Sequence, residues 1–136
     1  MEKVRWGFIG AGYIAKLALY PALLNSSDGE IYAVASRDSE RAKELSPTGL
    51  IFNDYEQLLA DPNVEAIYIS LPNSLHIEWS IKAMRAGKHV LCEKPAAMNV
   101  AELEEAISIA NKTGLIFMEA SWNRWHPRTI RLKEIV

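Results

Sequence analysis

Val4-Arg5-Trp6-Gly7-Phe8-Ile9-Gly10-Ala11-Gly12-Tyr13-Ile14-Ala15 is the stretch that decides the fold. An apolar strand runs into a tight glycine turn and then into a helix with no polar face before Lys16. Gly10, Gly12 and Ala15 fit the spacing G-x-G-x-x-G/A, the dinucleotide fingerprint. Gly10 allows the sharp exit from the strand, Gly12 lets the backbone approach a pyrophosphate, and Ala15 lets the helix lie close to the strand. Backbone amides around residues 10 to 14, at Gly10, Gly12, Tyr13 and Ile14, then face an anion with the helix dipole behind them. The bland alternative is a plain strand-to-helix turn.

Beyond this stretch, strand and helix patterns alternate to the end, as in a parallel sheet covered on both faces. Strands are predicted over residues 4–9, 31–36, 50–52, 66–70, 89–92 and 115–118. The first helix, 13–24, is apolar nearly all round and is expected to be buried, with Pro21 kinking it or weakening its last turns. Short helices follow at 39–45, capped by Asp38 or Ser39, and at 54–60. A longer one ends at Ala86 with Gly87 as its terminator. Leu75, Trp79, Ala83 and Ala86 form its predicted apolar face, opposite Glu78, Lys82 and Arg85. Asn99 with Glu102 reads as a capping box for a helix whose stripe is Val100, Leu103, Ala106, Ile107 and Ala110, stopped by Gly114. His126-Pro127 opens a last helix, where Ile130, Ile135 and Val136 have little to pack against. The fold expected is a doubly wound α/β Rossmann domain with strand order 3-2-1-4-5-6.

The totals agree with that fold. The chain has 136 residues, enough for one domain with a real core, and is 49% apolar. Its net charge of −2 leaves no basic footprint for nucleic acid. No apolar run is long enough to span a membrane. The single cysteine, Cys92, cannot pair internally, which fits a reducing compartment; with no signal peptide visible, a cytoplasmic protein is expected. Cys92 reads as a buried structural thiol and His89 as structural. The three histidines and one cysteine show no metal-ligand spacing.

The second strand ends in Ala35-Ser36-Arg37, with Asp38 just beyond. In this fold an acidic residue there holds the ribose of NAD, whereas an arginine accommodates the 2′-phosphate of NADP. Ser36 can donate to a phosphate, Arg37 offers a planar fork, and Arg41 lies one turn on. NADP is therefore expected, with NAD the alternative. Asp38 reads as a helix cap. The bland reading of Arg37 and Arg41 is a pair of solvated charges meeting Glu40 and Glu44.

Leu71-Pro72-Asn73-Ser74-Leu75-His76 follows the fourth strand and Cys92-Glu93-Lys94-Pro95 the fifth, both at carboxyl ends where open α/β sheets bind ligands. With the glycine turn and Ala86-Gly87-Lys88-His89-Val90, these segments resemble the glucose-fructose oxidoreductase/inositol dehydrogenase (Gfo/Idh/MocA) family over the whole chain. Residues 119–127, Glu-Ala-Ser-Trp-Asn-Arg-Trp-His-Pro, look like its dimeric dihydrodiol dehydrogenase branch, whose members use NADP. The resemblance implies that Lys94 is the catalytic lysine beside the nicotinamide and the substrate oxygen. It implies that Glu93 lies near the nicotinamide ribose, and that Leu71, Pro72, Asn73 and His76 line the path of the cofactor. A cis peptide before Pro95 is expected. Trp122 and Arg124 are candidates to wall the substrate side, although the tryptophans of this stretch are more often packing residues.

The chemistry suits hydride transfer on its own terms. A lysine ammonium beside a reacting oxygen stabilises developing negative charge and can shuttle a proton. The expectation is the cofactor-binding domain of an NAD(P)-dependent oxidoreductase acting on a sugar, polyol or diol carbon, and homo-oligomeric at full length. Residues 1–122 form the Rossmann domain, and 123–136 begin a linker helix toward a second α/β domain, which this chain lacks. The alternatives are a non-catalytic NAD(P)-binding module or truncated fragment, and a transferase using another adenosine-containing cofactor.

Overall fold

The computed structural model describes residues 2–136. Six strands form one parallel sheet: β1 (Val4–Ile9), β2 (Gly29–Ala35), β3 (Ile51–Phe52), β4 (Ala66–Ile69), β5 (His89–Cys92) and β6 (Phe117–Glu119). Their order is β3-β2-β1-β4-β5-β6, the order expected from the glycine turn and the alternating pattern. The helices are α1 (Tyr13–Leu17), α2 (Leu19–Leu24), α3 (Ser39–Leu45), α4 (Tyr55–Ala60), α5 (His76–Arg85), α6 (Val100–Thr113) and α7 (Pro127–Ile135). Short 3-10 turns lie at Asn73–Leu75 and Trp122–Trp125.

Alternate strand residues point to opposite faces, and here both faces are covered. Ile9, Ile67, Ile69, Val90 and Cys92 meet Leu58 of α4, Ile77, Ile81 and Met84 of α5, and Ala106 of α6. Phe8, Val34 and Tyr68 meet Ala15 of α1, Leu23 of α2, and Ala42 and Leu45 of α3. The β1–β2 register slips between Trp6 and Gly7, skipping Tyr32. That slip places Ile31 and Val34, three residues apart, on the same face.

The helices depart from the sequence pattern in three places. The predicted helix over 13–24 is broken at Ala18 (φ −109°, ψ −80°). Pro21 has no N–H for the Leu17 carbonyl, and its ring crowds that carbonyl, so the ladder stops there. Nor is the segment buried all round. Ala15 and Leu23 are buried, but Tyr13 is 78% exposed, and Ile14, Leu17 and Leu24 also face outward.

The buried side of α5 is Ile77, Ser80, Ile81 and Met84 with Ala83, rather than the predicted face running through Leu75 and Ala86. The chain enters through a 3-10 turn, so the α-helical phase starts at His76. Trp79 is half-buried, edge-on to Tyr55. The opposite face is charged as predicted, with Lys82 bridging Glu56 and Glu78. One half of the predicted capping box of α6 is present, Asn99 Oδ1 accepting from the Glu102 N–H at 3.0 Å, while Glu102 Oε2 reaches one residue further back and accepts from the Met98 N–H at 3.0 Å. Of its predicted stripe, Ala106 is buried and Ala110 packs on the core, while Val100, Leu103 and Ile107 are exposed. Ile130, Ile135 and Val136 of the last segment are exposed, as their sequence suggests. No helix among the described residues is long and apolar enough to cross a membrane.

Candidate functional site

The site begins where β1 turns into α1. Gly10 has φ +92°, and a Cβ on it would lie 3.0 Å from the Ser70 carbonyl oxygen. A Cβ on Gly12 would lie 3.2 Å from that same oxygen. Gly10 is therefore required by its positive φ and by the end of β4 running close beneath the turn, a Cβ on Gly12 would press on the same backbone, and Ser70 Oγ ties turn to strand by donating to the Gly10 carbonyl at 3.1 Å. The Gly10 N–H does not belong to the expected cradle: it donates to Ala35 O at 2.9 Å. The N–H groups of Ala11, Gly12, Tyr13 and Ile14 have no acceptor among the described residues, and Gly12 caps α1 with no side chain on its amides. An exposed run of amides without acceptors fits a diphosphate.

Beside this cradle, the end of β2 supplies Ser36 and Arg37. Ser36 is buried, and its Oγ accepts from the Asp38 N–H at 3.1 Å, leaving its own hydrogen free to donate. Asp38 is the cap of α3, accepting from the Arg41 N–H at 3.1 Å, and it also pairs with Arg41 Nε at 3.2 Å. The ion pairs of the bland reading are not formed: Glu40 pairs with Lys43 and Glu44 with Lys16. Arg41, Glu44 and Lys16 line a hollow with Ala11, Gly12 and Tyr13. Arg37 is exposed and makes no ion pair among the described residues.

At the other end of the cradle is a mostly apolar cavity of about 320 Å³. Ile14, Ala18 and Leu19 form one wall, Met118, Trp122 and Trp125 another, and Tyr68, Glu93 and Lys94 its polar part. Lys94 is exposed and its ammonium has no ion pair among the described residues. The Lys94–Pro95 peptide is cis, as expected. Glu93 is held at both carboxylate oxygens: Tyr68 O–H donates to Oε1 at 2.7 Å, and the Lys94 N–H to Oε2 at 3.2 Å. A larger hollow of about 420 Å³, between Met98, Val100, Leu103 and Phe117, has no cationic side chain, and Glu119 is its one charged group.

The structure redistributes the other predicted site residues. Leu71 packs beside Gly10, while Pro72 and Asn73 are exposed on the same loop. His76 does not face the site: it is 1% exposed, with Nδ1 2.7 Å from Pro95 O and Nε2 2.8 Å from Leu71 O. Its ring staples the two ligand-facing loops together from behind. Trp122 lines the cavity, but Arg124 does not; its guanidinium lies 5.9 Å from the centre of the Trp125 ring. Trp125 takes the place given to Arg124, because the 3-10 turn at Trp122–Trp125 puts residues three apart on one side. Both tryptophans are mostly exposed among the described residues.

Tyr68 and Lys88 are polar residues whose roles the sequence did not show. Burial, then its bond to Glu93, pushes the Tyr68 phenol well above the ordinary tyrosine range. Lys88 is buried and donates to the carbonyls of Asp61 and Val64, each at 2.7 Å, and burial lowers its pKa. No signal marked Tyr68, which sits in a strand that is apolar on both faces, and Lys88 stood out only as part of the segment Ala86–Val90, with no role given to it. Cys92 is a buried thiol, pushed up by burial to about 12, and His89 Nδ1 accepts from the Ile116 N–H at 3.0 Å. Both are structural. Among the described residues no group of three or more His, Cys, Asp or Glu converges as metal ligands do.

Comparison with known proteins agrees with this fold. Residues 4–121 match the model of an oxidoreductase family with an NAD-binding Rossmann fold. The chain is 43% identical over 139 residues to an uncharacterized oxidoreductase, ORF334, of Rhizobium meliloti, covering 100% of this chain and 42% of that protein. It is 39% identical over 137 residues to the mouse trans-1,2-dihydrobenzene-1,2-diol dehydrogenase, covering 98% and 41% respectively. The structure superposes on KijD10, a 3-ketoreductase from Actinomadura kijaniata in complex with NADP and TDP-benzene, with a TM-score of 0.93 and 36% identity, covering 98% of this chain and 42% of that one. The chain thus spans about two-fifths of the length of the relatives it matches.

Proposed function

Since the chain belongs to the Gfo/Idh/MocA oxidoreductase family, with its NAD-binding Rossmann fold, we propose that it is the cofactor-binding part of an NADP-dependent enzyme. The reaction proposed is hydride transfer between nicotinamide and a sugar, polyol or diol carbon. Residues 1–122 form the binding domain, and 123–136 lead toward a further domain that completes the substrate site. One observation carries this reading: amides 11 to 14, without an acceptor among the described residues, lie between Arg37 and a cavity lined by Lys94, neither of which has an ion pair among those residues.

The amides of Ala11 to Ile14 hold the diphosphate, and Ser36 and Arg37, with Arg41 behind, hold the 2′-phosphate. Arg41 shares its charge with Asp38, so Arg37 carries most of the preference for NADP. The NADP bound by KijD10, whose fold and sequence this chain shares, supports the choice over NAD. Ile14 and Leu19 bound the nicotinamide end of the cavity and Trp122 its outer wall. A bound nicotinamide supplies the hydride donor or acceptor. Lys94 stabilises negative charge on the substrate oxygen and holds or releases its proton. Glu93, fixed at both oxygens, meets the nicotinamide ribose.

Titration of the chain with NADPH and with NADH tests the phosphate assignment. NADPH is expected to bind tighter, and Arg37→Ala to remove most of the difference. Charge-assisted bonds to phosphate are worth about 1.5–3 kcal/mol, so the loss is roughly ten-fold or more. Equal affinities in the unmutated chain contradict the assignment.

A further inference from the structure

Tyr68 lies at the centre of β4, the strand between β1 and β5, and is 1% exposed. Its ring is packed edge-on against Phe8 of β1, 5.1 Å between centroids, on the face that α1 to α3 cover. It sits in register with Leu91 of β5, so its phenol reaches along the sheet toward the residue two places beyond Leu91. That residue is Glu93, and the O–H donates to its Oε1 at 2.7 Å. Tyr68, Glu93 and Lys94 all line the 320 Å³ cavity, and Tyr68 is the buried one of the three. Glu93 itself is only partly buried, and its second oxygen accepts from the Lys94 N–H.

A half-exposed glutamate has rotamers that point to water, and holding one of them needs a partner on a rigid element. Tyr68 is that partner. Its ring is buried, edge-on to Phe8 and packed in the core that α1 to α3 cover, so a rigid element carries the hydroxyl. The bond fixes the Glu93 carboxylate, and through the Oε2 contact it also fixes the backbone from which Lys94 projects.

We propose that Tyr68 is a positioning residue of the site, holding Glu93 in place to meet the nicotinamide ribose and keeping Lys94 in register with it. The proposal rests on the cofactor reading given above. It adds that an apolar-looking strand supplies a polar support beneath the nicotinamide half of the ligand and has no part in holding the adenosine half.

Two probes separate the halves: NADPH, and adenosine 2′,5′-bisphosphate, which has no nicotinamide ribose. Tyr68→Phe keeps the ring and its packing and removes only the hydroxyl. Loss of one hydrogen bond to a charged group predicts NADPH affinity falling roughly ten-fold, with the bisphosphate changing less than about two-fold. Glu93→Gln is expected to give a similar split, and the double variant to lose little beyond either single one. Thermal unfolding of each variant, followed by circular dichroism, checks that the fold is retained. NADPH binding that is unchanged in Tyr68→Phe overturns the proposal, as does an equal loss for both probes or full additivity in the double variant. If the unmutated chain binds the bisphosphate but binds NADPH no tighter, the positioning role fails while the phosphate site stands. If it binds neither, the cofactor reading itself fails and this role with it.

Discussion

The imidazole of His76 spans the gap between two loops: its Nδ1 lies 2.7 Å from the carbonyl oxygen of Pro95, and its other nitrogen 2.8 Å from that of Leu71. One loop follows β4 and the other β5, so the distance between the Leu71-Pro72 segment and Lys94 depends on this ring. His76→Ala removes the ring N–H donor that these carbonyls face and opens a cavity in a fully buried position. A loss of about 3 kcal/mol is expected from these two effects together. Urea unfolding measures it. A change within about 0.5 kcal/mol, the range of an ordinary surface substitution, contradicts the staple.

Cys92 gives the stability a pH dependence of known sign. The thiol's ordinary value is 9.0, and burial raises it in the folded chain to about 12. Between these values the folded state keeps a proton that the unfolded state has lost. The stabilisation is whole below about pH 9 and is lost as pH climbs toward 12. Tyr68 acts in the same direction at higher pH, so the Cys92 share is read by difference. Unfolding midpoints between pH 8.5 and about 11 are expected to fall more steeply in the unmutated chain than in Cys92→Ala. Parallel slopes contradict the burial of the thiol.

Much of the fold was legible because its signals are local. The glycine turn, the alternating strands and helices, and the terminators Gly87 and Gly114 suffice for six strands and their order. The capping bonds of Asn99 and Glu102 likewise lie within five residues. Failures came where a feature depends on a distant neighbour. Periodicity marks Val100, Leu103 and Ile107 as an apolar stripe, but only packing shows that nothing in the described chain covers them. His76 stands in a ligand-loop motif, and the rotation of its ring away from the ligand side comes from two carbonyls, one of them 19 residues along. Tyr68 lies in a strand buried on both faces, where every position looks apolar, and its reach to Glu93 follows from the β4–β5 register.

Lys94 offers a test of chemistry apart from binding. Lys94 lines the cavity, and its ammonium makes no ion pair among the described residues. In a chain extended to the full length of its relatives, Lys94→Ala is expected to lower turnover by roughly a hundred-fold or more, the usual share of a positioned acid–base group. NADPH affinity should change by less than about three-fold, since the ammonium acts on the substrate oxygen. Steady-state kinetics alongside a binding titration separates the two. Unchanged turnover removes Lys94 from the mechanism.

The central claim is that the backbone amides after Gly10 hold a diphosphate, and amide NMR of the labelled chain tests it most directly. On titration with NADPH, the N–H resonances of Ala11, Gly12, Tyr13 and Ile14 are predicted to move together with the same saturation curve, because they have no acceptor among the described residues. The Gly10 N–H, already donating to Ala35, is predicted to move less. Resonances of residues 11 to 14 that stay fixed while NADPH saturates the chain would contradict the account.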